Sequence, residues 1–117
     1  MSEEKVYYTK EEWYNLFKEL ESRKITFETV EYHSKLICIK SKPTDIIVEP
    51  IADAPCEFLQ FKVCLEGTTG FVTDDILKIE SDIVDLFGSH QEMYYIYFKT
   101  GEKIILIYFE KGELVLD

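Results

Sequence analysis

The sequence is poor in the residues from which metal and reactive centres are usually built. Three cysteines, Cys38, Cys56 and Cys64, are an odd number, and they are joined by only two histidines, His33 and His90. No Cys-x-x-Cys pair and no His-x-x-x-His spacing is present, so the four ligands of a structural zinc site cannot be assembled from local motifs. Cys38 and Cys64 sit in apolar, strand-like segments where cysteine behaves as a small hydrophobe, and all three thiols are read as reduced. No metal and no cofactor is expected. No apolar run approaches the roughly 20 residues of a membrane span; the strongest, Tyr94 to Phe98 and Ile104 to Phe109, have strand length. The N-terminus, Met1 to Lys5, is acidic and lacks the basic region, apolar run and cleavage site of a secretory signal, so a cytoplasmic protein is expected. Repeats, low-complexity tracts and long linkers are missing too, which points to one domain over 1–117.

Basic residues are the other shortage. Against 23 Asp and Glu there are 13 Lys and Arg, a formal net charge of -10. Such a chain is repelled by nucleic acid and by anionic membranes and attracts basic proteins. Acid is concentrated between Glu66 and Glu92, where Asp74, Asp75, Glu80, Asp82 and Asp85 are accompanied by a single base, Lys78. Lys35, Lys40 and Lys42 form a minor basic strip elsewhere.

What is abundant is hydrophobic and aromatic: 46% and 15% of residues, with eight Tyr and eight Phe, enough for a chain of this length to build a core. Thr9 followed by Glu12 is a capping box, with Tyr8 and Trp13 placed for a hydrophobic staple. Trp13, Leu16, Phe17 and Leu20 recur at helical spacing, and Arg23 and Lys24 suit a helix C-terminus, so a helix is predicted over Lys10 to Arg23.

Thereafter the period changes to two. Ile25 to Tyr32 and Lys35 to Lys40 read as a hairpin, with a slip of phase that suggests a bulge near Glu28 and Thr29. Pro43, Pro50 and Pro55 punctuate a looser section with a short strand at Ile46 to Val48, and strict alternation resumes from Phe58 to Leu65. Asp74 to Phe87 fits both periods. A strand followed by a turn of helix over 81–87 is the preferred reading. Strands Met93 to Lys99, Glu102 to Glu110 and Glu113 to Leu116 complete a meander, giving an α+β fold in which an N-terminal amphipathic helix packs on an antiparallel sheet.

If the meander loops hold two residues each, Ile96 faces Ile105. One face then carries Tyr94, Ile96, Phe98, Ile105, Ile107 and Phe109 and forms the core under the helix. The other carries Met93, Tyr95, Tyr97, Ile104, Leu106 and Tyr108. Either the N-terminal hairpin or the Pro-rich section covers this tyrosine face, or it stands as a contact surface.

The search for catalytic chemistry finds little. The Asp74 to Asp85 carboxylates lack companion motifs, Ser89 and His90 are neighbours in a turn, Glu57 opposes activation of Cys56, and Gly67 to Gly70 lacks the lysine of a phosphate loop. The preferred reading is a non-enzymatic binding module. Its carboxylates Asp74, Asp75, Glu80, Asp82 and Asp85 are expected to dock on a basic partner, including one whose Lys- and Arg-lined groove normally holds nucleic acid. In size and charge alone the chain resembles small phage-encoded inhibitors and toxin-neutralising immunity proteins. Two alternatives stand beside it: a homodimer or assembly subunit pairing through Tyr95, Tyr97, Leu106 and Tyr108, and a small-ligand pocket near Cys56, His33 and His90.

Overall fold

The computed structural model describes residues 2–32, 41–52, 56–66 and 70–110. A strand, β1 (Ser2–Tyr7), precedes the helix α1 (Lys10–Arg23). The helix begins as its sequence predicts. Thr9 Oγ1 accepts from the Glu12 amide at 3.2 Å, and Glu12 Oε1 accepts from the Thr9 amide at 3.3 Å. The staple does not form, because Tyr8 is 67% exposed. Instead the Trp13 indole N–H donates to the Tyr7 carbonyl at 2.8 Å and ties the helix to the end of β1. At the far end Lys24 turns the chain into the left-handed region, φ 53°, and its amide returns to the Glu21 carbonyl.

Two sheets follow. The larger has the order β1-β7-β8-β9-β2-β3 and is antiparallel throughout, from β2 (Phe27–Tyr32), β3 (Ser41–Thr44), β7 (Ile76–Leu86), β8 (Ser89–Phe98) and β9 (Lys103–Glu110) with β1. The smaller joins β4 (Ile46–Pro50), β5 (Phe61–Leu65) and β6 (Phe71–Val72). A 3-10 turn, Thr73–Asp75, connects it to β7, and Thr73 Oγ1 fixes this junction by accepting from the Phe61 amide and donating to the Phe61 carbonyl.

Helix and small sheet lie on the same side of the large sheet. Phe17 packs on Phe61 and Phe71, Phe71 packs on Phe98, and the Glu21 carboxylate takes the Val48 amide at 2.6 Å. The predicted stripe of Trp13, Leu16, Phe17 and Leu20 is buried in one core with Ile79, Tyr94, Ile96 and Leu106.

Several expectations are corrected. Strand β1 is not among the elements that the sequence predicts. Its charged sequence is tolerable because an edge strand shows one flank to water. The pairing of β2 with β3 and β9 is continuous through Glu28 and Thr29, so the expected bulge is absent there. The partner strand expected over 35–40 and the last strand expected over 113–116 lie outside the described residues.

The stretch 81–87 is not helical: residues 81–86 are the second half of the eleven-residue strand β7, and Phe87 begins the turn that follows. A register irregularity between Ile76 and Lys78 puts Ile76 and Ile79 on one face, which mimics helical spacing. The loop from β8 to β9 holds three residues, Lys99 to Gly101, with the Phe98 amide on the Glu102 carbonyl and Gly101 at φ 94°. Ile96 therefore faces Ile104 rather than Ile105. A shift of one residue inverts a strand. Ile104 and Leu106 join the core side, and Ile105, Ile107 and Phe109 go to the other.

Candidate interaction surface

The five carboxylates expected to form one acidic surface are distributed over three places. Asp74 and Asp75 occupy the 3-10 turn, where Asp74 pairs with Lys10 on the helix at 2.7 Å and is held below the usual carboxylate range by it. Glu80 and Asp82 lie on the outer face of the large sheet, away from the helix. Asp85, an odd number of residues further, faces the inner side and hydrogen-bonds His90. At roughly 3.3 Å per residue, Asp74 and Asp85 are on the order of 30 Å apart along the strand.

On the outer face a smaller acidic flank remains. Glu4 of β1 stands opposite Asp82, and Val6 opposite Glu80. Together with Tyr95, Ser81 and the base Lys5 these residues line a depression of about 310 Å³. Glu80 accepts from Lys78 at 3.0 Å and from the Tyr97 hydroxyl at 3.1 Å, and the Lys78 ammonium lowers its pKa. Asp82 Oδ1 is shielded from solvent and has no hydrogen-bond partner.

The tyrosine face splits in the same way. Tyr95 and Tyr97 are on the outer face as expected, but the inversion of β9 takes Leu106 and Tyr108 off it. Leu106 is fully buried under the helix, and Tyr108 packs on Phe27 with Arg23 over its ring. Their places are filled by Ile105 and Ile107. Lys78 and Lys103 bracket the Tyr97 ring at 5.0 and 5.7 Å, and the Tyr95 hydroxyl reaches Met93 Sδ at 3.5 Å. Ile105 is 6% exposed yet stands outside the main core.

Neither element expected to cover this face does so among the described residues. Strands β2 and β3 extend the sheet in its own plane, and the Pro-rich section forms the small sheet on the inner side. The outer face continues to the β7–β8 turn. There Val84, Leu86, Phe87, Ser89, Gln91 and Phe109 surround a second depression, of about 320 Å³. Leu86, Phe87 and Phe109 are 55%, 78% and 58% exposed.

The inner side holds a polar cluster that the sequence reading did not single out. The Glu92 carboxylate, buried on β8, receives both terminal nitrogens of Arg23 at 2.6 Å, the Tyr94 hydroxyl, and His90 Nε2 at 2.9 Å. Burial would raise its pKa, but these donors overcome burial and hold it at about 2. Tyr94 is pushed well up by burial and by Glu92, and Arg23 is raised by its bond to Glu92. His90 is raised by Asp85 and Glu92, which engage both ring nitrogens. A signal was present: Glu92 is in phase with Tyr94, Ile96 and Phe98, so a charge falls on the core side of the strand.

With both nitrogens engaged, His90 has no free site for proton transfer to a nucleophile. The cluster clamps the helix C-terminus to the β7–β8 hairpin. Cys56 is exposed in a loop tied to the helix through the Tyr14 hydroxyl and Glu57, about 14 Å along the helix axis from Arg23. The expected Cys56–His90 pocket is therefore not assembled, and His33 lies outside the described residues. Among the described residues no group of three or more His, Cys, Asp or Glu is arranged to hold a metal ion, and no helix is long and apolar enough to cross a membrane. No protein-family model matches this chain, and neither a curated protein nor a solved structure matches it.

Proposed function

We propose that the protein is a non-enzymatic binding module that docks on a basic protein partner through the outer face of its six-stranded sheet. One observation carries this reading: helix and small sheet pack on the inner side, leaving Met93, Tyr95, Tyr97 and Ile107 without a covering element among the described residues. Half-buried tyrosines supply large rigid contact area at small entropic cost, and apolar faces of this size are otherwise a liability. The Glu4–Glu80–Asp82 flank and the net charge of -10 fit a partner bearing Lys and Arg, including one whose groove ordinarily holds a nucleic-acid backbone.

Pairing of two copies through the same face is the second reading, favoured by the apolar end at Leu86, Phe87 and Phe109. Equal charges of -10 oppose it at low salt, so the basic partner is preferred. An exposed thiol at Cys56 is compatible with a reducing, cytoplasmic setting.

The test is affinity capture with the native chain, followed by titration of the captured protein against variants. Glu80→Gln with Asp82→Asn should weaken binding at least about tenfold, a loss of about 1.4 kcal/mol. Asp74→Asn with Asp75→Asn should leave it unchanged. Equal affinity of the Glu80/Asp82 variant and the native chain rejects the acidic flank as a contact.

A further inference from the structure

The β7–β8 turn is built from a residue that a turn of this shape does not want. Leu86 pairs with Ser89, so the loop is Phe87 and Gly88 alone, and both have positive φ, 51° and 78°. Positive φ at both central positions defines the type I′ hairpin turn, whose first position favours Asn, Asp or Gly. A bulky aromatic there is an outlier, because its Cβ crowds the backbone. Folding does not compensate this strain, since the Phe87 ring is 78% exposed. Strain combined with solvent-exposed apolar surface at one residue points to a contact made outside the chain.

We propose that Phe87 is the anchor of the docking surface: its ring enters an apolar slot on the partner, with Leu86 and Phe109 forming the collar around it. This inference rests on the outer-face reading above. Lys and Arg rim the slot, because the chain as a whole carries -10 and, among the described residues, the exposed carboxylates nearest the turn are that of Asp85, which already holds His90 on the inner side, and that of Glu110. The turn is held firmly for this task. His90 joins Asp85 on one strand to Glu92 on the other, and Arg23 fixes Glu92 to the helix. A rigid turn presents its aromatic residue with little entropy left to lose on binding.

The strain supplies a test that a merely structural residue would fail. Phe87→Asn installs Asn-Gly, the preferred pair for this turn, so Tm should stay equal or rise. Displayed twelve-residue peptides selected on the full native chain at low salt serve as the probe. The enriched peptides should combine aromatic or aliphatic residues with Lys or Arg, bind less tightly as salt rises, and lose at least about tenfold in affinity on Phe87→Asn. Failure to enrich any such peptide overturns the proposal. So does enrichment of acidic ones, or binding that Phe87→Asn leaves intact.

Tyr95→Ala separates this claim from the broader one. If Tyr95→Ala weakens binding and Phe87→Asn does not, the outer face docks but Phe87 is not its anchor. If neither does, both readings fall. Light scattering that shows a native dimer converted to monomer by Phe87→Asn would assign the ring to a second copy and overturn the basic slot. Binding to phosphatidylcholine vesicles would overturn it in favour of a lipid surface.

Discussion

Strand β8 alternates between two faces on which carboxylates are handled in opposite ways. On the inner side Glu92, Tyr94, Ile96 and Phe98 lie beneath the helix and small sheet, and the one charge among them is met by Arg23, Tyr94 and His90. On the outer side Gln91, Met93, Tyr95 and Tyr97 are half-buried, and on the neighbouring strand Asp82 Oδ1 is shielded without a partner. Where a helix seals the surface, a carboxylate must be fully paired, because its desolvation costs more than one ion pair returns. No helix or second sheet seals the outer face among the described residues. Its apolar and aromatic residues Met93, Tyr95, Tyr97, Ile105 and Ile107 stand outside the main core.

Substitutions should separate the faces sharply. Ile96→Ala, in the sealed layer, should cost about 2–5 kcal/mol by chemical denaturation, whereas Tyr95→Ala, one residue away, should cost about 1 kcal/mol or less. Comparable losses would break the distinction. Arg23→Ala should cost about 2–3 kcal/mol, because it strands the Glu92 carboxylate; the figure lies below that of a fully buried pair, since Arg23 keeps 32% of its side chain in water. Arg23→Met with Glu92→Leu should recover most of that loss.

The inner cluster also gives stability a pH dependence. Glu92, held at about 2 against an ordinary 4.5, contributes stability that is present above 4.5 and lost as pH falls toward 2. His90 is raised above its ordinary 6.5, so its contribution is present below 6.5 and lost as pH rises through the elevated folded value. Denaturation across pH should show a plateau between about 4.5 and 6.5 with a decline on each side. His90→Gln should flatten the alkaline decline and leave the acid one, to which Glu21 and Glu80 also contribute. The smallest effect is expected on the outer face: Asp82→Asn should change stability by no more than about 0.5 kcal/mol while weakening binding.

The helix was legible because its signals are local: a capping box, a stripe of four apolar residues and a basic end all lie within Thr9 to Lys24. The α+β class and the positions of β4, β5, β8 and β9 followed from alternation. What escaped depends on single-residue displacements that composition does not encode. One irregularity at Ile76 to Lys78 gave β7 the spacing of a helix, and one extra loop residue before Glu102 exchanged the faces of β9. That exchange moved Leu106 and Tyr108 from the expected contact face into the core side. The acidic site dispersed for a related reason: alternation along β7 sends Glu80 and Asp82 to one side and Asp85 to the other. The Arg23–Glu92 clamp joins residues 69 positions apart, which sequence pattern alone does not bring together.

The central claim is that binding uses the outer face. Methyl NMR of the full chain on addition of the captured partner tests it most directly, because the two faces carry separate reporters. Signals from Met93, Ile105 and Ile107 should shift or broaden, and those from Ile79, Ile96 and Leu106 should hold. Shifts confined to the inner set or to Ile46 and Val48 of the small sheet, with Met93 and Ile107 silent, would contradict the account.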